Sequence, residues 1–170
     1  MNRRETHSKH HTSAQVVADT LAIYTGYGID KSKLLIGFAM YAKWFETPTT
    51  LEQCPAPHIG CDLATVYEYP GNGSDAGVSG WVTFNTAVAD NPAMVTKWNA
   101  IGDSEQHDQD AWATTALTDS TFWTWPSEED TLHACEKSIG NAGGVFIWAL
   151  NQDSVGSPHI KQLQSCLGIA

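Results

Sequence analysis

The sequence predicts an α/β protein in which two buried parallel strands flank a longer segment of mixed α+β character. Two apolar runs, at residues 34–40 and 145–150, are continuous instead of alternating, which is typical of strands covered on both faces. A helical pattern that ends in glycine precedes each run. The chain between them, from about residue 46 to 121, is rich in Pro, Gly, Thr, Asn and Asp and predicts short strands and turns.

The beginning of the chain predicts a tail, a helix and a strand. Residues 1–11 are polar and basic and lack the apolar stretch of a signal peptide, so we expect a disordered tail there. Thr12 or Ser13 can cap a helix that begins near residue 14 and ends at the glycines that follow. A short polar connector then leads into the strand at 34–40.

The mixed segment predicts several short elements. Aromatic residues in short β-like runs favour strands at 65–69, 80–84 and 121–125. A proline in its first turn favours a short helix at 91–98. Residues 102–110 are polar and acidic and predict a solvated loop, because they lack the ligand spacing of a calcium loop.

The regular pattern returns at the end of the chain. Ser127 with Asp130 three residues later resembles a capping box and predicts a helix over 128–139. The strand at 145–150 follows, and Pro158 marks the first turn of a last helix that ends near residue 167.

Composition excludes some classes of partner. The 170 residues carry a net charge of −10, which argues against nucleic acid and against an anionic membrane surface. No apolar run approaches the length of a membrane span. Seven tryptophans are many for this length, and they serve either as core filler or as flat platforms on which sugars stack.

The cysteines leave two alternatives open. Four cysteines fit two disulfides or four free thiols, and Cys54 and Cys61 are close enough in sequence for a local loop clip. Because no pair has the Cys-x-x-Cys spacing, we expect neither a zinc site nor any other metal or cofactor.

Three segments together resemble one enzyme family. SKLLIGFAMYAKWF at 32–45 is similar to the motif K-L-x-x-G-x-x-x-Y-G-R-x-F/W, and GGVFIWALNQD at 143–153 to G-G-x-x-x-W-S/A/E-L/I-x-x-D. TFWTW at 121–125, before a capped helix, resembles the stretch that follows the family's insertion. In this order and spacing they resemble the C-terminal part of the family 18 glycoside hydrolases, the chitinases.

The resemblance implies a partial (β/α)8 TIM barrel with an α+β insertion domain. It divides the chain, after the tail at 1–11, into barrel helix six and strand seven at 12–45, the chitinase insertion domain at 46–121, and helix seven, strand eight and a C-terminal helix at 122–170. It also implies an extracellular protein, although the chain shows no signal peptide. The implied partners are chitin or N-acetylglucosamine oligosaccharides and the N-terminal part of the barrel.

The resemblance also implies the substrate-binding residues. Trp148 corresponds to the family's eighth-strand tryptophan, which forms the floor under the scissile sugar. The alternative is that Trp148 is buried in the barrel core. Tyr41 lines the cleft or packs under the insertion. Met40 and Phe146 lie near the same face or in the core, and Trp112 offers an aromatic contact from the insertion. The chain departs from the motif at Ala42 and at Lys43, which lacks the planar fork of arginine.

The sequence contains no catalytic motif of the family. No run matches D-x-x-D-x-D-x-E, whose glutamate is the acid in substrate-assisted hydrolysis, and the M-x-Y-D motif is also absent. We therefore predict no catalytic residue. One alternative is a chitinase segment that is inactive alone, a second is a non-catalytic chitin- or glycan-binding fragment, and a third is a structural domain without a ligand.

Overall fold

Two separate β-sheets organise the chain in a computed structural model, which describes residues 6–50, 52–64 and 78–169. The smaller sheet pairs β1 (Leu35–Ala39) with β7 (Gly144–Trp148) in parallel. The larger sheet is antiparallel and contains β2 (Tyr41–Glu46), β3 (Ser79–Thr83), β4 (Gln106–Asp108), β5 (Ala113–Thr118) and β6 (Thr121–Trp125). Its strand order is β3-β2-β6-β5-β4, so β3 and β4 are the edge strands. The larger sheet thus lies, in sequence, between the two parallel strands.

Four α-helices accompany the sheets: α1 (Ala14–Gly26), α2 (Pro92–Asn99), α3 (Glu128–Ser138) and α4 (Pro158–Leu167). The Ser13 side chain caps α1 by accepting a hydrogen bond from the N–H of Val16, and Ser127 and Asp130 form a capping box at α3. Helix α3 packs against both α1 and α4. Within the described part of the chain, no helix has the length and apolar character needed to cross a membrane.

The predicted elements are largely present. The strands expected at 34–40, 80–84, 121–125 and 145–150 appear as β1, β3, β6 and β7, and the four expected helices are all found. The strand expected at 65–69 lies outside the described residues. The solvated loop expected at 102–110 is wrong in part, because Gln106–Asp108 pairs with β5.

The core divides the tryptophans into two groups. Trp123 is fully buried, and Trp44 and Trp125 are nearly so. The ring of Trp98 on α2 lies 5.6 Å from that of Trp123 and 5.0 Å from that of Trp125, which forms an aromatic cluster under the larger sheet. These four tryptophans therefore serve as core residues, whereas Trp81 and Trp148 are exposed, and the role of exposed tryptophans as platforms for sugars stays a prediction.

All four cysteines are paired in disulfides. Cys54 bonds to Cys61, as a local clip, and Cys135 of α3 bonds to Cys166 of α4. The sequence had left free thiols as an alternative. The second disulfide fixes the last helix against α3.

The start of the chain differs from the expected disordered tail where the structure describes it. The backbone N–H of Ser8 donates to the carbonyl of Cys61 (2.8 Å), and its hydroxyl donates to the carbonyl of His58 (2.6 Å). Three residues later, the N–H of His11 donates to the hydroxyl of Thr124 (3.0 Å). This polar segment is ordered because the larger sheet and the 58–61 loop satisfy its hydrogen-bonding groups.

Candidate functional site

Trp148 ends β7 and presents an exposed indole at the end of the parallel sheet. It pairs in register with Ala39 at the end of β1, and its side chain is 66% exposed. The carbonyl oxygen of Trp148 accepts a hydrogen bond from the N–H of Met40 (3.0 Å), and the peptide bond to Ala149 is cis. The hydrogen bond from Met40 joins the backbone at Trp148 to the neighbouring strand, and the indole ring is exposed.

Phe146 shares this sheet face. Its register partner is Gly37, and the side chain is 49% exposed. A Cβ atom at position 37 would come within 2.7 Å of the Phe146 ring, so glycine leaves the space that the ring occupies. Because Leu35 is also exposed on this face, Trp148 stands at the end of an uncovered apolar surface.

The loop after Trp148 is held by the larger sheet. The N–H of Ala149 donates to the side-chain oxygen of Gln152 (3.0 Å). Asn85, just after β3, donates from its backbone to the carbonyl of Gln152 (2.7 Å) and from its amide side chain to the carbonyl of Asn151 (3.1 Å). These bonds fix the residues that follow Trp148 against the residues that follow β3.

Tyr41 lies beside this strand end at the start of β2. It is half-buried, and its ring lies 5.1 Å from that of His11, tilted by 40°. Burial, and then the charge of Lys43, lower the pKa of His11 to about 4. At neutral pH an uncharged imidazole therefore packs against Tyr41, and the predicted role of Tyr41 in binding remains a prediction.

Two of the predicted binding residues lie elsewhere. The side chain of Met40 is fully buried in the hydrophobic core, which is the alternative to a place on the binding face. Trp112 stacks on His133 with ring centroids 3.8 Å apart. Trp112 also lines a small cavity together with Phe38. The side chain of Phe38 points to one face of the parallel sheet, and Trp148 lies on the opposite face. The structure therefore places Trp148 and Phe146 on one face of the parallel sheet, whereas the side chains of Met40 and Trp112 lie away from that face and the ring of Tyr41 packs against His11.

The buried carboxylates have structural partners. Asp130 accepts hydrogen bonds from the ring of His107 (2.7 Å), the hydroxyl of Thr114 (2.7 Å) and the N–H of Ser127 (2.9 Å). Asp153 bonds to the ring of His159 (2.8 Å) near the start of α4. Since these oxygens orient helices and strands, neither group is placed as a catalytic acid. Among the residues that the structure describes, no three His, Cys, Asp or Glu groups form a metal site.

Trp81 is an exposed aromatic residue to which the sequence assigned no role. It lies on the edge strand β3, is 56% exposed, and pairs with Lys43 in register. Strand alternation in the sequence could have identified Trp81. Val82 and Phe84, two residues apart, are buried in the core, whereas Trp81 is on the other face of β3 and is exposed.

Solved structures with a similar fold come from plants and from humans. A mutant class V chitinase from Nicotiana tobaccum in complex with NAG4 has a TM-score of 0.72 and 12% identity, covering 96% of this chain and 44% of that one. A mutant plant class V chitinase from Cycas revoluta in complex with (GlcNAc)3 has a TM-score of 0.69 and 14% identity, covering 96% and 43%. Human YKL-39, described as a pseudo-chitinase with retained chitooligosaccharide binding properties, has a TM-score of 0.62 and 15% identity, covering 89% and 40%.

These similarities show a shared fold, and the chain spans less than half the length of each of these structures. A comparison with curated proteins finds no match. The model of the family described as glycosyl hydrolases family 18 matches residues 1–153, which is most of the chain. The family resemblance of the strand motifs is thereby confirmed, and the chain belongs to glycosyl hydrolases family 18.

Proposed function

We propose that the chain binds chito-oligosaccharides at the end of its parallel sheet and that Trp148 is the stacking platform. The observation that carries this proposal is the exposed indole of Trp148, whose backbone is fixed by Met40 and whose following loop is fixed by Asn85. Two of the similar structures are complexes with N-acetylglucosamine oligomers, which supports this class of ligand.

The chemistry of an indole suits a sugar. One face of a pyranose ring exposes mainly C–H groups, which pack on a flat apolar surface, and the indole N–H remains available for a hydrogen bond. Phe146 extends the apolar surface on the same sheet face and adds a second aromatic ring to it.

The proposed activity of the isolated chain is binding without hydrolysis. The sequence has no D-x-x-D-x-D-x-E run, and the buried carboxylates Asp130 and Asp153 are held in structural hydrogen bonds. Substrate-assisted cleavage would then require carboxylates from outside this sequence. Human YKL-39 is an example of a similar structure described as a pseudo-chitinase that retains chitooligosaccharide binding.

We further propose that β1 and β7 are two strands of a barrel whose other strands lie in an N-terminal part of the same enzyme. A two-stranded parallel sheet with an uncovered apolar face has two open edges, and barrel closure removes such edges. Apolar side chains on and beside α1 are exposed as well: Val16, Ile23, Tyr24 and Tyr27. The two disulfides support an extracellular location.

The experiment that tests this function combines binding with product analysis. The full chain is titrated calorimetrically with N-acetylglucosamine oligomers, and the same mixtures are then analysed for shorter products. We expect saturable binding, no cleavage, and a loss of affinity of at least about tenfold in Trp148→Ala, with Trp148→Phe intermediate. Cleavage by the purified chain would contradict the inactive state, and equal affinity of Trp148→Ala and the unchanged chain would contradict the binding site.

A further inference from the structure

A buried carboxylate–imidazole pair lies where the loop after Trp148 returns to the core. The side chains of Asp153 and His159 are 1% and 7% exposed, and a carboxylate oxygen of Asp153 lies 2.8 Å from Nδ1 of His159. The loop itself, residues 149–152, begins directly after the exposed indole. We propose that Asp153 and His159 are positioning residues for the Trp148 site, because they hold this loop in the conformation that binds an oligosaccharide; this role rests on the proposed function.

The carboxylate of Asp153 fixes the far end of the loop to α4. Leu150 and Asn151, in the middle of the loop, are exposed, so burial contributes little to the loop's conformation. One oxygen of Asp153 accepts from the N–H of Ser154 (2.8 Å), and the other accepts from the N–H of Ile160 in the first turn of α4 (3.0 Å). A carboxylate in this place caps the helix and interacts favourably with the dipole at its N-terminus.

Contacts with residues of the larger sheet fix the ring of His159. Phe84, which follows β3, stacks on this ring with centroids 4.4 Å apart and planes 13° apart. Nε2 of His159 lies 3.3 Å from the carbonyl oxygen of Pro126, which follows β6. Because an ionised carboxylate only accepts, Nδ1 donates in the bond to Asp153. The imidazole thus connects the far end of the loop with residues that follow two strands of the larger sheet.

Phe84 links the two ends of the loop. Its N–H donates to the carbonyl of Met40 (3.1 Å), and the N–H of Met40 donates to the carbonyl of Trp148 (3.0 Å) at the beginning of the loop. Its ring stacks on His159 at the far end. Without the bond between His159 and Asp153, the loop keeps its attachment at Trp148 and loses one at its far end, while β7 stays paired with β1.

A loosened loop should weaken sugar binding. The backbone that follows Trp148, beginning with Ala149, determines where the indole stands relative to the end of the strand. If the loop adopts several conformations, binding has to select one of them, and this ordering costs free energy. Affinity should therefore fall in a variant that remains folded.

Three substitutions test the pair on the full chain, by calorimetric titration with the N-acetylglucosamine hexamer. His159→Phe keeps an aromatic ring for stacking on Phe84 but has no donor for Asp153, and it should lower affinity about five- to tenfold. His159→Asn keeps a side-chain N–H near the position of Nδ1 and should keep most of the affinity. His133→Phe is the matched control and should bind normally, because His133 also stacks on an aromatic ring, that of Trp112.

Two further measurements test whether the pair acts through Trp148. When Trp148→Ala is already present, His159→Phe should cause no further loss of affinity. Without ligand, His159→Phe should speed the amide hydrogen exchange of Gln152, whose N–H donates to the carbonyl of Ala149 (2.9 Å), and should leave exchange in β7 unchanged. Asp153→Asn gives the same tests from the other partner and replaces His159→Phe if that variant does not fold.

The outcomes separate the positioning role from the proposed function. Unchanged hexamer affinity in a folded His159→Phe, an equal loss in His159→Asn, or a full further loss when Trp148→Ala is already present would overturn the positioning role alone. Unchanged exchange of the Gln152 amide would overturn it as well. Absence of hexamer binding by the unchanged chain would overturn the proposed function and, with it, the positioning role.

Discussion

The backbone N–H of Met40 donates a hydrogen bond to the carbonyl oxygen of Trp148, and this 3.0 Å contact joins the ends of the two parallel strands. The carbonyl of Met40 in turn accepts from the N–H of Phe84, after the edge strand of the larger sheet. One residue therefore connects both sheets directly beside the exposed indole. The backbone of Met40 positions Trp148 through these hydrogen bonds, and the side chain of Met40 packs in the core.

Substitutions at Met40 should separate stability from binding. Met40→Ala leaves a cavity in a fully buried position and should lower the free energy of unfolding by about 2–5 kcal/mol in urea titrations. Met40→Leu keeps the volume, should cost less than about 1.5 kcal/mol, and should bind oligomers with unchanged affinity. A large loss of affinity in a stable Met40→Leu would show that this side chain contacts the ligand after all.

Gly143→Ala should destabilise the parallel sheet severely. A Cβ atom at this position would lie 2.1 Å from the backbone oxygen of Ser32, and a backbone atom cannot move aside easily. We expect a loss of at least about 2 kcal/mol in the free energy of unfolding. Gly140→Ala is the matched control, since nothing lies within 4 Å of its added Cβ atom. Equal stability of the two variants would contradict the close approach of the strand to Ser32.

The buried His11 should make stability fall in acid. Its pKa is lowered from 6.5 to about 4, so the unfolded chain binds a proton at this residue more readily than the folded chain. Stability from this group is present above pH 6.5 and is lost as the pH falls through 4, by about 3 kcal/mol in total. His11→Phe keeps an aromatic ring beside Tyr41 and should reduce the loss over this range in pH-dependent urea titrations. If the free energy of unfolding of His11→Phe depended on pH as that of the unchanged chain does, the burial of the His11 imidazole would be contradicted.

Asp130→Asn should weaken the junction between α3 and the larger sheet. The two carboxylate oxygens accept from His107, Thr114 and Ser127, and an amide NH₂ group cannot accept where an oxygen did. We expect a loss of about 2–3 kcal/mol in the free energy of unfolding. The exposed Glu129, one residue earlier, gives the control Glu129→Gln, which should change stability by less than about 0.5 kcal/mol. If both substitutions lowered the free energy of unfolding by a similar amount, the cause would be the loss of negative charge at the start of α3, and the hydrogen bonds of Asp130 would not explain it.

Local signals explain why much of the fold could be predicted. The continuous apolar runs became β1 and β7, and the cap formed by Ser127 and Asp130 became the start of α3, because these patterns act within a few residues. The hairpin of β4 and β5 was missed because its residues are polar and rich in threonine. Its burial depends on distant partners, such as the hydrogen bond from Thr115 to the carbonyl of Pro57 (2.6 Å).

The site was less predictable than the fold. Trp148 was identified from a motif whose position at a strand end is determined locally. The burial of Met40 and the packing of Trp112 could not be predicted, because they depend on which face of each sheet is covered by other elements. Strand alternation separates the two faces but does not say which one is covered. Trp81 received no role because its exposure depends on β3 being an edge strand, which is a property of the whole sheet.

The most direct test of the central claim is a set of intermolecular nuclear Overhauser effects between the indole protons of Trp148 and a bound N-acetylglucosamine oligomer. We expect cross-peaks from these indole protons to sugar ring C–H protons on one face of the pyranose, at saturating ligand and on the full chain. Cross-peaks confined to other tryptophans, with the Trp148 resonances unchanged throughout the titration, would contradict the claim that Trp148 is the stacking platform.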